Sequence, residues 1–297
     1  AMAGPYRNTD WGCGGVTTQG LDLSLLSTGH RFGVALSPDG NTLYYTRRSP
    51  DSQLVRCAVS GGPCEARTFT RGEAYRLLTD AERSQLIALM YPDPKSAPDP
   101  LSRQGSGFLY RYQIGVDGSL SEGERVAIPA AYPVDAALSP GGRHLAIVGK
   151  YGGVHILDGD TGTVLGSHIF EDTTLYRAAW AGDGETLYVT SPSGRVYEMT
   201  AEARLTGRVL EFALSAAGVA THLDSMVSVA RPIKGCISVY DSRDLSFVRS
   251  FHSRYLVREI VPAGENQILA GSYRAGHLML FDRRTGTRIR QLRLGKM

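Results

Sequence analysis

Apolar residues fall along this chain in short runs separated by tight turns, and four such runs make a unit that recurs about every forty residues. The clearest unit begins with Val134-Asp-Ala-Ala-Leu138, turns at Ser139-Pro-Gly-Gly142 and continues with His144-Leu-Ala-Ile-Val148. It then turns at Lys150-Tyr-Gly-Gly153, runs through Val154-His-Ile-Leu-Asp158, and ends in Thr163-Val-Leu-Gly166 after the turn Gly159-Asp-Thr-Gly162. β-Branched and aromatic residues dominate the runs, and Gly-Gly or Asp-Gly pairs punctuate them, which predicts strands joined by hairpins. The inner runs are almost continuously apolar, as expected of sheets that bury both faces.

Four-stranded units repeated at this period predict an all-β fold, a single β-propeller of six four-stranded blades, with seven as the alternative. The units span approximately 32–70, 72–129, 132–170, 174–212, 215–251 and 255–294. Residues 1–20 read as an N-terminal extension and 21–297 as the propeller. Residues 15–27 carry one more strand pair, suited to latching the last blade and covering an exposed edge. The second unit carries a proline-rich insertion from Tyr91 through Gly107, which has loop composition. The start at Ala1-Met2 leaves open a leader or a preceding domain.

Two turns resemble a known signature. Ser37-Pro-Asp-Gly40 runs on into Thr42-Leu-Tyr-Tyr45, and Gly182-Asp-Gly184 runs on into Thr186-Leu-Tyr-Val-Thr190. Both resemble the repeats of the WD40-like and YVTN-type β-propellers, as does Gly29-His30 ahead of the first unit. The Trp-Asp pair of that superfamily is absent; its places read Leu157-Asp158, Tyr240-Asp241, Phe281-Asp282 and Tyr197-Glu198. The resemblance implies a propeller that holds other macromolecules without catalysis. Phe108-Leu-Tyr-Arg-Tyr112 with Asp117-Gly-Ser-Leu120 looks like one blade of the lactonase-type propellers, but the metal carboxylates of those enzymes have no identifiable place here.

The net charge of +3 singles out no partner. Its arrangement is more informative. In an antiparallel blade, the connections between strands two and three, and from strand four to the next blade, lie at one end. Basic residues collect there, with tyrosines beside them: Arg47, Arg48, Lys150, Tyr151, Arg231, Lys234, Arg254, Tyr255, Tyr273 and Arg274 are the candidate partner-binding residues. Arginine and tyrosine are favoured at binding hot spots and also stack on and pair with nucleic acid. The plainer alternative is a solvated surface. The opposite end is acidic, and its Asp-Gly hairpins account for that through turn chemistry alone. Twenty-eight of the 32 basic residues are arginine, a bias that codon usage in a GC-rich genome produces without any functional cause.

Little in the chain suggests catalysis. Cys57 and Cys64 face each other across a hairpin and are candidates for a disulfide, the mark of an oxidising compartment; two reduced thiols are the alternative. Cys13 and Cys236 are left over. The seven histidines are scattered, with no zinc-like clustering. Asp158-Gly-Asp160 lacks the remaining ligands of a calcium loop. No cofactor and no metal are expected, and no apolar stretch approaches the ~18 residues of a membrane span. The expectation is a non-catalytic interaction module for a protein, with acidic character as one option and nucleic acid as another. The alternative is a lactonase-like or other hydrolase at the mouth of a central channel, where polar side chains from several blades would converge. A third reading is a sensor or structural domain of a longer protein. Compartment and oligomeric state are not legible.

Overall fold

A computed structural model describes residues 33–47, 53–61, 63–69, 73–91, 106–253, 256–272 and 277–293. The protein is an all-β, six-bladed β-propeller: six four-stranded antiparallel sheets, each a meander in chain order. Its described residues group into two compact units, one within 29–172 and one within 173–297.

The first unit holds three blades. Blade 1 is β1 (Val34–Leu36), β2 (Thr42–Arg47), β3 (Gln53–Ala58) and β4 (Glu65–Thr68). Blade 2 is β5 (Glu73–Asp80), β6 (Gln85–Tyr91), β7 (Ser106–Gln113) and β8 (Glu124–Ala131). Blade 3 is β9 (Pro133–Leu138), β10 (His144–Gly149), β11 (Gly153–Asp158) and β12 (Val164–Ile169). The expected insertion of blade 2 is shorter than its composition suggests. Tyr91 pairs with Glu73, and Ser106 pairs with Ala131, so ladder hydrogen bonds extend the strands into its flanks.

The second unit holds the other three. Blade 4 is β13 (Ala178–Trp180), β14 (Thr186–Ser191), β15 (Arg195–Thr200) and β16 (Leu205–Glu211). Blade 5 is β17 (Val219–His222), β18 (Met226–Arg231), β19 (Cys236–Asp241) and β20 (Phe247–His252). Blade 6 is β21 (Val257–Pro262), β22 (Gln267–Ser272), β23 (His277–Asp282) and β24 (Arg288–Arg293). The strand pair expected at 15–27 and the extension 1–20 lie outside the described residues.

Burial explains the run pattern. Every residue of β10 is buried and β11 is buried except at its ends, whereas β12 alternates between exposed and half-buried. The cores lie between neighbouring blades. Ile87, Leu89 and Leu109 of blade 2 meet Ala136, Leu145 and Ile147 of blade 3, and Val257, Ile268 and Phe281 of blade 6 meet Ala220, Ile237 and Phe251 of blade 5. Each large apolar side chain so buried contributes about 1.5–3 kcal/mol relative to exposure.

Polar latches supplement this packing. Arg56 of blade 1 donates to the carbonyl of Asp117 in the β7–β8 turn of blade 2. Arg111 of blade 2 does the same to Asp160 in the β11–β12 turn, and Arg208 of blade 4 reaches Ser242 O at 2.8 Å in the β19–β20 turn. Arg83 ties blades 2 and 3, with Nε 3.1 Å from Asp160 Oδ1 and Nη1 3.1 Å from Gly142 O. Arg283 ties blades 6 and 5 through an ion pair with Asp224. Part of the arginine richness therefore serves blade-to-blade contact, where a planar fork matches carbonyl and carboxylate geometry better than an ammonium does.

His222, at the end of β17, is buried beside this last pair. Its Nε2 lies 2.9 Å from Ser228 Oγ. Burial, reinforced by the charge of Arg283 and opposed by Asp224, lowers its pKa from 6.5 to about 4. Between those values the unfolded chain takes up a proton that the fold refuses. The stability is complete above pH 6.5 and declines as pH falls towards 4, by about 3 kcal/mol in all. Urea titrations across that range should show this loss for the wild type and a flatter profile for His222→Gln.

Cys57 and Cys64 are disulfide-bonded, with Cα atoms 4.5 Å apart. Arg56 pairs with Glu65, so the cysteines stand directly opposite each other, and the spacing is that of a non-hydrogen-bonded pair. The loop that they close is short. The Cys57→Ser, Cys64→Ser double variant should lose about 2 kcal/mol in denaturant melts, and reduction of the wild type should reproduce that loss.

Candidate interaction surface

Blade 3 presents the most developed cluster at the end where strands two and three connect. Gly152 adopts φ +89°, a left-handed conformation that suits a residue without a side chain and lets the β10–β11 connection turn tightly. The turn lifts Lys150 and Tyr151 to the blade's end. Tyr132, linking β8 to β9, comes up beside them: its carbonyl accepts a 2.9 Å hydrogen bond from the Lys150 N–H. The Lys150 ammonium then lies 5.1 Å from the Tyr132 ring centroid and 5.7 Å from that of Tyr151. The two rings meet edge to face at 5.9 Å. Such an arrangement fixes a cation between two electron-rich faces while leaving it open to an anion.

The neighbouring end of β12 adds an apolar side chain. Phe170 N donates to Gly152 O at 2.9 Å, which seats the strand end against the turn. Tyr151 is 55% exposed and Ile169 is 61% exposed. Lys150 has no carboxylate partner among the described residues.

In the second unit, blade 5 shows a related arrangement at the corresponding turn. Ile233 is 62% exposed, and Lys234 beside it is exposed as well. The turn is held by Gly235 O, which accepts from Ser253 Oγ at 2.9 Å and from His252 Nδ1 at 2.6 Å. Arg231, half-buried at the end of β18, is framed by an aromatic ring too. Its guanidinium lies over the Phe212 ring at 4.7 Å, with Nε buried. Arg195, at the β14–β15 turn, pairs with Glu211 at 3.0 Å. Arg47 ends β2. Arg48, Arg254, Tyr255, Tyr273 and Arg274 lie outside the described residues.

A second set of charges was hidden inside the apolar runs. Gly33, Arg76, Asp135, Arg177, Gly218 and Glu259 occupy the same position in the six blades: each stands opposite the fifth residue of its blade's second strand. In blades 2, 3 and 6 the ladder carries a bulge next to this position, which re-aims the side chain. Within the first unit Arg76 Nε lies 3.1 Å from Asp135 Oδ1. Within the second, Arg177 Nε contacts both carboxylate oxygens of Glu259, at 2.8 and 2.9 Å, and its Nη2 makes a further short contact. The Arg177 guanidinium also lies 4.1 Å over the Tyr176 ring.

Arg177 of blade 4 thus pairs with Glu259 of blade 6, and blade 5, between them in chain order, has Gly218 at this position. A Cβ on Gly218 would lie 2.6 Å from Arg258 O and 2.9 Å from Ile260 N. Each carboxylate of this set is engaged by a guanidinium. The geometry is that of internal neutralisation rather than of an acid and base poised for proton transfer. The signal in the sequence was an ionisable residue early in the first run of four units out of six. It is visible only when the units are aligned on their first turns.

The two pairs differ in which charge is buried, and substitution should show it. Asp135 is fully buried, so Arg76→Leu removes a guanidinium from a desolvated carboxylate and should destabilise by about 3 kcal/mol. In the second pair the buried member is the cation, Arg177 at 10% exposure against 40% for Glu259, and glutamine keeps a carbonyl to accept from it, so Glu259→Gln should cost less, about 2 kcal/mol. Equilibrium unfolding of both variants checks the order. No protein-family model and no curated protein sequence matches this chain.

Proposed function

We propose that the protein is a non-catalytic interaction module that holds a protein partner, one with acidic character, at the ends of its blades where strands two and three connect. One observation carries this reading. Blades 3 and 5 each expose an apolar or aromatic side chain beside a lysine at the same turn, Tyr151 with Lys150 and Ile233 with Lys234. Many described arginines are held in ion pairs or blade-to-blade latches. Exposed aromatic and apolar groups next to a cation are the composition of interface hot spots. Arg47, Arg48, Arg254, Tyr255, Tyr273 and Arg274 extend the proposed binding set from the sequence. The Cys57–Cys64 disulfide supports work in an oxidising compartment.

The test is affinity capture from the source organism with the whole chain and with two reversal variants, Lys150→Glu with Tyr151→Ala and Ile233→Asp with Lys234→Glu. Partners held at moderate salt by the wild type should be lost from at least one variant, with circular dichroism unchanged. Capture of the same partners in the same yield by both variants would defeat the proposal.

A further inference from the structure

Resting on that reading, we propose that the Lys150 cluster of blade 3 is a recognition site for a short acidic peptide segment, in which one carboxylate docks on the lysine and a flanking apolar side chain packs on Tyr151 and Ile169.

Three observations converge on it. First, the cation is held ready: Lys150 stands between the Tyr132 and Tyr151 rings, at 5.1 and 5.7 Å, so little side-chain freedom remains to be lost on binding. Second, the arrangement is maintained against a backbone preference. Tyr132 has φ +49°, a left-handed conformation costly for a bulky residue, and this is the residue that places its ring beneath the ammonium. Third, the rim is apolar, with Tyr151 and Ile169 both more than half exposed.

The same neighbourhood disfavours a nucleic acid. A phosphate backbone needs a track of cations, whereas the described residues of this cluster supply one ammonium. Glu171 and Asp172, both exposed, follow Phe170 immediately and would repel a second and third phosphate. A single carboxylate flanked by apolar side chains satisfies the lysine and uses the tyrosine and isoleucine surfaces.

The probe is a phage-displayed random heptapeptide library selected on the whole immobilised chain, with labelled oligo-dT run in parallel. Selected peptides should combine an acidic with an apolar residue. They should bind Lys150→Gln and Tyr151→Ala about tenfold or more weakly than the wild type. Tyr132→Gly is the discriminating variant. It relieves the left-handed conformation, so its melting temperature should hold or rise while peptide binding falls. The inference is overturned by selection of peptides without acidic residues, by recovery of none, by equal binding to the variants, or by a Tyr132→Gly protein that loses stability but keeps binding. Oligo-dT binding abolished by Lys150→Gln would overturn it in favour of nucleic acid. Partners lost from the Ile233 and Lys234 variant but kept by the Lys150 variants would also overturn it, and would leave the scaffold reading standing.

Discussion

Face-to-face burial between neighbouring sheets is the constraint from which the rest follows. A four-stranded antiparallel meander cannot hide its own apolar faces. It becomes stable only when Leu86, Ile147 and their equivalents are covered from the next blade. That demand makes β10 and β11 apolar on both sides and relaxes it at the outer strands, where β4 is exposed throughout. It also fixes which connections share an end. Once the meander is set, the turn that carries Lys150 and the link that carries Tyr132 must emerge side by side. The blade's chemistry is thus written in residues free of packing duty.

Charge has been divided between two tasks. Arginine works where its fork can satisfy carbonyls and carboxylates at once: Arg56, Arg111 and Arg208 hold turns of the adjacent blade, and Arg76 and Arg177 pair with acids on first strands. Burying such groups is costly unless their partners are in place, so these contacts specify how blades meet more than they add stability. Lys150 lies at the other extreme, an ammonium framed by aromatic rings and approachable from outside.

Strands and turns were legible because their period is local. Four runs per unit, Asp-Gly and Gly-Gly punctuation and the loss of apolar residues towards each fourth run are all properties of neighbouring residues in the chain. The position of Cys57 opposite Cys64 follows from the same counting. The candidate site was legible in part. Lys150 and Tyr151 stand in a turn whose place in the blade is predictable, and Tyr132 falls in the right connection, but its left-handed backbone and its approach to the ammonium depend on contacts distant in sequence. Arg231 is similar: the sequence marks it as a candidate cation, and only the fold reveals the Phe212 ring beneath it. The charges of the first strands were missed because a single ionisable residue does not interrupt an apolar run of five. Their meaning lies in the comparison of one blade with another.

Gly218 has a consequence that reaches past its own sheet. By withholding a side chain it lets the backbone of the next blade come close to its own, so two sheets answer to one α-carbon. Bulk introduced there would push on the backbone of blade 6 on both sides of Glu259, the residue that answers Arg177. A residue that contributes nothing by touching thus resists replacement by any that would.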